Sequence, residues 1–142
     1  MPTIALANTD ADIAHCFPVL VQLRPHLKEG DFVALIRRLS AQYRYQLLFL
    51  QEDGNIEAVA GFRLTESLYY GPFLYVDDLI TAENSRSKGY GGLLLDWLVE
   101  HAKKAGCEAV ALDSGVQRFG AHRFYLSKRM DIACHHFARK LK

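Results

Sequence analysis

The sequence is short of cysteine: it has three, Cys16, Cys107 and Cys134, and no CxxC pair. An odd, widely spaced set excludes a disulfide framework and a zinc knuckle, so the thiols read as reduced and buried. Long apolar runs are missing too, none approaching the roughly 20 residues that a bilayer demands. The opening MPTIALANTD has no basic region and no apolar stretch, so the expectation is a soluble, cytoplasmic protein with no membrane partner. Neither charge is in excess, since 17 Lys and Arg face 16 Asp and Glu for a net +1. That balance removes the electrostatic case for a nucleic acid partner and points to a small-molecule ligand. Repeats, linkers and low-complexity segments are absent. A chain of 142 residues can bury roughly two thirds of its unfolded surface in one core without metal or disulfide staples. A single domain over residues 1–142 is expected, and homodimer formation is left open.

What is present is periodic. Thr3 to Asn8 alternates in strand fashion, and Asp10 or Asp12 is placed to cap a helix through Ile13, Phe17, Leu20 and Leu23. Pro18 interrupts that helix unless it lies in the first turn, and Gly30 and Asp31 precede a second amphipathic segment, Phe32 to Tyr43. YQLLFLQE and IEAVAGFRL flank DGN, a β-hairpin signal, because Asp53 and Gly54 tolerate the positive φ of a tight turn. Gly71 and Pro72 mark a further turn before the apolar run from Pro72 to Thr81. Beyond the loop AENSRSK, a helix places Leu94, Leu98, His101, Ala102 and Ala105 on one stripe, and Gly106 stops it. CEAVALDS reads as a buried strand, RFGAHRFYLS as a short helix and MDIACHHFARK as a final strand. The order is strand, two helices, three antiparallel strands, helix, strand, helix, strand, which is a mixed α/β domain with one central sheet.

Arg86 to Leu98, RSKGYGGLLLDWL, sets Gly89, Gly91 and Gly92 at the start of the strongest helix. Each glycine costs roughly 1 kcal/mol against alanine inside a helix, so a compensating role is sought. A helix start leaves four amides without partners and carries about half a positive charge, which suits an anion. Glycines clear side chains from those amides, and Arg86 and Lys88 add charge ahead of them. The residues read as a phosphate cradle, with a tight turn for close helix packing as the plainer alternative. No Walker pattern occurs, and the sixth position of GxGxxG is Leu94, so neither common nucleotide motif fits.

An Arg, two residues, Gly, one residue, Gly, after a strand ending LIT and before a Leu-rich helix, resembles the coenzyme A signature of the GNAT N-acetyltransferase family. Arg86, Gly89 and Gly91 carry it, and AHRFYLSKRMD resembles the family's later helix with its Tyr. The element order matches as well, so the resemblance spans nearly the whole chain. It implies an α/β acyl-CoA transferase domain whose mostly antiparallel sheet splays between its fourth and fifth strands. It implies acetyl-CoA as co-substrate, its pyrophosphate on the amides of Lys88, Gly89, Tyr90, Gly91 and Gly92, with Arg86 and Ser87 in the same loop. Backbone groups of Leu79, Ile80 and Thr81 would pair with the pantetheine arm, and Ser114 and His122 are further cofactor contacts. YVDDLIT is similar to the polyamine and small-amine branch. Departures are visible too: Arg129 and Met130 stand where many members have Gly-Phe.

Acetyl transfer to an amine needs a deprotonated nucleophile, a donor for the developing oxyanion and a proton for the leaving thiolate. By resemblance, Tyr125 is the acid toward the thiolate, an amide near Leu79 is the oxyanion donor, and Asp77 is the general base or amine anchor. Strict alternation groups Asp77 with Phe73, Tyr75 and Leu79, and Asp78 with Leu74, Val76 and Ile80, unless a bulge intervenes. Tyr69, Tyr70 and Tyr75 line an acceptor cleft or simply cover the sheet. His135 and His136, neighbours in a predicted strand, face opposite ways, so no metal site is expected. The expected activity is acetylation of a primary amine on a small molecule or peptide by direct attack in a ternary complex; the alternative is a CoA-binding sensor without chemistry.

Overall fold

Thr9, rather than either aspartate after it, caps the first helix: its hydroxyl accepts from the amide of Asp12 at 3.1 Å. A computed structural model describes all residues from Met1 to Lys142. In chain order the elements are β1 (Thr3–Leu6), α1 (Asp10–Leu23), α2 (Glu29–Tyr43), β2 (Gln46–Glu52), β3 (Asn55–Ser67), β4 (Gly71–Thr81), α3 (Tyr90–Lys104), β5 (Ala109–Leu112) and α4 (Phe119–Ser127). The chain forms two compact units, Met1–Ala111 and Leu112–Lys142.

Two expectations about the helices change. Pro18 lies in the middle of α1 instead of ending it. An interior proline costs about 3 kcal/mol, offset here by the burial of Ile13, Cys16, Val19 and Leu20 along one stripe. Gly30 and Asp31 fall inside the first turn of α2, where free amides make glycine cheap and a carboxylate favourable. The cysteines divide: Cys16 is buried, its thiol pushed up to about 12 first by that burial, whereas Cys107 is half-buried and Cys134 exposed.

The sheet runs β1-β2-β3-β4-β5. Its first four strands pair antiparallel, and β5 returns in parallel after the α3 crossover. Asp53 and Gly54, with φ of 53° and 81°, form the tight turn between β2 and β3. On one face, α1 and α2 cover Phe49, Val59 and Ile80. On the other, Phe62 meets Trp97 and His101 of α3 with ring centroids 6.2 and 5.6 Å apart. The amide of Glu108 donates to the Pro72 carbonyl at 2.7 Å, setting β5 beside the first half of β4. β4 continues alone on that side to Thr81, and β5 is half-buried rather than fully buried as expected.

The predicted last strand does not form. Residues 130–142 have no regular structure and residues 131–142 are exposed. Alternation specifies which face of a strand is apolar but supplies no neighbouring strand to satisfy its amides and carbonyls.

β4 carries the irregularity that matters most. Gly61 of β3 pairs with Asp78, but the next residue, Phe62, pairs with Val76, so Asp77 is an inserted bulge residue. A bulge breaks alternation. Both aspartates therefore turn toward the α1 and α2 face, which corrects the opposite-face expectation. The same place demands a glycine, because a Cβ on Gly61 would sit 1.7 Å from the Tyr45 hydroxyl oxygen and 2.3 Å from the ring carbon bearing it. Gly61→Ala should thus lower stability by about 1–3 kcal/mol through displacement of Tyr45. Urea unfolding measures this, and an unchanged midpoint would contradict the packing.

Candidate active site

The carboxylates at the bulge sit in two ion pairs. Asp77 accepts a parallel pair from Arg63, with Nε to Oδ2 at 2.9 Å and Nη2 to Oδ1 at 3.0 Å. That fork is the strongest arrangement open to a guanidinium and a carboxylate. Arg63 also lies 5.3 Å over the ring of Tyr75. Asp78 accepts from Arg24 Nε at 2.8 Å and from the Tyr45 hydroxyl at 2.7 Å. Arg24 follows the last residue of α1 and also donates from Nη2 to the Asp77 carbonyl at 3.1 Å. Tyr45 is positioned by Arg44, which ends α2 in the left-handed region at φ 62°, and by Ser40, whose hydroxyl donates to the Tyr45 carbonyl.

These groups floor a cleft of about 580 Å³ whose other walls are α1, α2 and the segment between them. Its aromatic lining is Phe32, Tyr43 and Tyr45, and of the two places open to Tyr69, Tyr70 and Tyr75 none of the three takes the cleft. Tyr69 and Tyr70 meet edge to face at the turn before β4, and Tyr75 lies under Arg63. Arg24, Arg63 and Tyr45 were not anticipated. Arg63 had a visible signal, a lone charge inside the apolar strand GFRL, whereas Arg24 and Tyr45 had none.

At the far end of β4 the chain leaves through Glu83–Ser85 and enters α3. Gly89 is the residue before the helix, in the left-handed region at φ 80°, and no side chain caps the end. A Cβ at Gly89 would meet nothing within 4 Å, so the cradle opens outward. Ser87 also has a positive φ, 73°, a costly conformation for a side chain. The loop is pinned at both ends by carboxylates: Ser85 donates to Glu57 of β3, and Tyr90 to Glu52 of β2. The Tyr90 phenol is pushed up to about 12, by the Glu52 bond first and burial second. Arg86, Ser87 and Lys88 are exposed, while Gly91 and Gly92 occupy the first turn of α3 with their amides directed out of the helix start. Leu79, Ile80 and Thr81 lie on the stretch of β4 between cleft and loop.

The remaining predicted residues belong to the second unit. Tyr125 is half-buried in α4, and burial raises its phenol above the usual value despite the opposing effect of Arg118. His122 shares that helix, with Nε2 2.8 Å from the Gly115 carbonyl. Ser114 Oγ is buried with no hydrogen-bond partner. His136, outside any strand, lies 2.9 Å from Asp113 through Nδ1.

A mixed sheet of this order leads from its fourth strand to an uncapped, glycine-rich helix start. Over residues 12–130 the chain matches the acetyltransferase (GNAT) family. It belongs to that family and is an N-acetyltransferase. It is 40% identical over 115 residues to the uncharacterized N-acetyltransferase YhdJ of Bacillus subtilis (strain 168), which covers 81% of each chain. It is 30% identical over 95 residues to an aminoalkylphosphonate N-acetyltransferase of Salmonella typhimurium, covering 67% of this chain and 60% of that one. The crystal structure of a transcriptional regulator from Bacillus halodurans C-125 shares the fold, with a TM-score of 0.87 at 21% identity over 99% of this chain and 100% of that one.

Burial first, and Asp78 second, raise the Tyr45 phenol well above its usual 10.0. The unfolded chain therefore loses this proton before the folded one does. Stability present below about pH 10 is lost as pH rises beyond it. Tyr45→Phe should lower stability at neutral pH by about 1–3 kcal/mol. Above about pH 10 its stability curve should be shallower than the parent's by one proton, about 1.4 kcal/mol per pH unit. Urea titrations across that range decide, and parallel curves would refute the assignment.

Proposed function

We propose that this enzyme transfers the acetyl group of acetyl-CoA to the primary amine of a small molecule, in the cytoplasm, by direct attack within a ternary complex. The whole chain acts as one catalytic domain in this reading. The observation that carries it is the helix start at Tyr90, whose outward amides have no side-chain cap and whose approach is left-handed at Gly89. Such an end binds an anion with backbone alone. The amides from Lys88 to Gly92 take the pyrophosphate, with Arg86 and Ser87 flanking it. The edge of β4 at Leu79, Ile80 and Thr81, which β5 does not accompany, takes the pantetheine arm as an added strand. The unpartnered hydroxyl of Ser114 and the ring of His122 are further contacts to the cofactor.

Acetyl-CoA supplies the activated acyl group and a thiolate leaving group. Tyr125, a phenol at neutral pH, donates the proton that thiolate needs. Asp77, whose two oxygens already accept from Arg63, serves as an anchor for the incoming amine, and a water relays the amine's proton. Substrates named for relatives, aminoalkylphosphonates among them, fit an amine acceptor of this size.

Saturating acetyl-CoA should raise the melting temperature, because ligand at roughly 100 times its dissociation constant adds about 2.7 kcal/mol. ATP and NAD should leave it unchanged. Gly91→Glu should abolish that shift while preserving the fold, since a carboxylate suits a helix start but repels a pyrophosphate. Retained affinity would contradict the cradle. In a thiol-release assay, Tyr125→Phe should reduce kcat roughly 100-fold with KM for acetyl-CoA little changed; full activity near neutral pH would remove Tyr125 from the chemistry.

A further inference from the structure

The floor of the cleft offers donors more than acceptors. Both oxygens of Asp77 accept from Arg63, and those of Asp78 accept from Arg24 and Tyr45. Each guanidinium uses Nε and Nη2 for its bonds, which leaves Nη1 of Arg24 and of Arg63 to spare. The arginines are also the more exposed partners, at 44% and 33% of side-chain surface against 14% for Asp78 and 25% for Asp77. The polar surface met by an incoming ligand is therefore mainly guanidinium, with His26 beside it. The two ion pairs sum to no net charge, so an anion is not repelled as it would be by bare aspartates. Above that floor the wall is apolar, formed by half-buried Leu27, Leu35 and Leu39 and by Tyr43, which is 57% exposed.

We propose that the acceptor is a zwitterion: an amine that also carries a carboxylate or phosphonate, held by Arg24 and Arg63, with an apolar body against α1 and α2. This rests on the transferase reading above and narrows its acceptor. Guanidinium edges match such anions in planar, paired hydrogen bonds that an amide or a bare alkylamine cannot accept. The remaining lone pairs of Asp77 stay available to the ammonium end. Arg24 and Arg63 become specificity-determining residues in a site where sequence reading had placed only an acidic group.

The test uses matched sets sharing one body: leucine, leucinamide and 3-methylbutylamine with the phosphonate analogue of leucine, and the corresponding sets for alanine and phenylalanine. Thiol release is measured for each with acetyl-CoA. Members bearing the anion should have kcat/KM about 30-fold or more above their amides and decarboxylated amines. In Arg24→Gln and Arg63→Gln that ratio should collapse, mainly through KM, with Arg24→Lys and Arg63→Lys partly restoring it. Titration of 4-methylpentanoate, an anion without an amine, should show competitive inhibition that weakens in both Gln variants. Equal use of charged and uncharged members, or a ratio unchanged in both variants, would overturn the proposal. So would an enzyme that binds acetyl-CoA but acetylates no anion-bearing member. Failure of acetyl-CoA itself to stabilise the protein would instead strike the transferase reading. The substrate comparison in the parent protein stands whether or not a variant folds.

Discussion

The pairing of two residues of β4, Asp77 and Asp78, against the single Gly61 of β3 is the constraint from which the rest of the first unit follows. In a regular ladder one of these carboxylates would face α3 and its apolar cluster around Phe62, where an unpaired charge costs far more than a hydrogen bond returns. The bulge removes that conflict by sending both to the side of α1 and α2. It creates a second demand, because two carboxylates side by side repel unless each has its own cation. Arg63 from the neighbouring strand and Arg24 from the end of α1 supply them. Tyr45 completes the set, and its ring passes over the one position in β3 that has no side chain.

That arrangement explains why the helices before the sheet have the lengths they do. α1 must stop where Arg24 can reach the Asp77 carbonyl and the Asp78 carboxylate together. α2 must end in a left-handed residue so that the chain turns and Tyr45 enters the core next to β2. Both termini are thus fixed from outside their own helices, by contacts with β4. The cleft that results is walled by the apolar faces of the same two helices, so stability and ligand shape are set by one group of residues.

The other end of β4 follows a different logic. The loop into α3 contains residues that a stable helix would avoid, and its rigidity comes from Glu52 and Glu57, which hold Tyr90 and Ser85. Anchoring the ends while leaving the middle without side-chain partners leaves the amides of the helix start uncapped. One strand therefore joins the cleft under α1 and α2 to the glycine-rich loop, with Leu79 to Thr81 between them.

Much of this was legible beforehand, and for local reasons. The Asp53-Gly54 turn, the stripe of α3 and the glycines before it depend on backbone freedom and on a 3.6-residue period, which neighbours along the chain express by themselves. Pro18 is tolerated because tertiary burial outweighs helix propensity, whereas Thr9 caps through a local bond of a kind that the two aspartates after it could equally have made. The absent last strand was misread because a pairing partner is not encoded by the segment that needs it. The sequence alone determined the class of fold, the glycine-rich helix start and the family. Only the tertiary structure decided what surrounds Asp77, because a one-residue slip between β3 and β4 changes which side chains share a face. It took folding to bring Arg24, 53 residues away, to the Asp77 carbonyl.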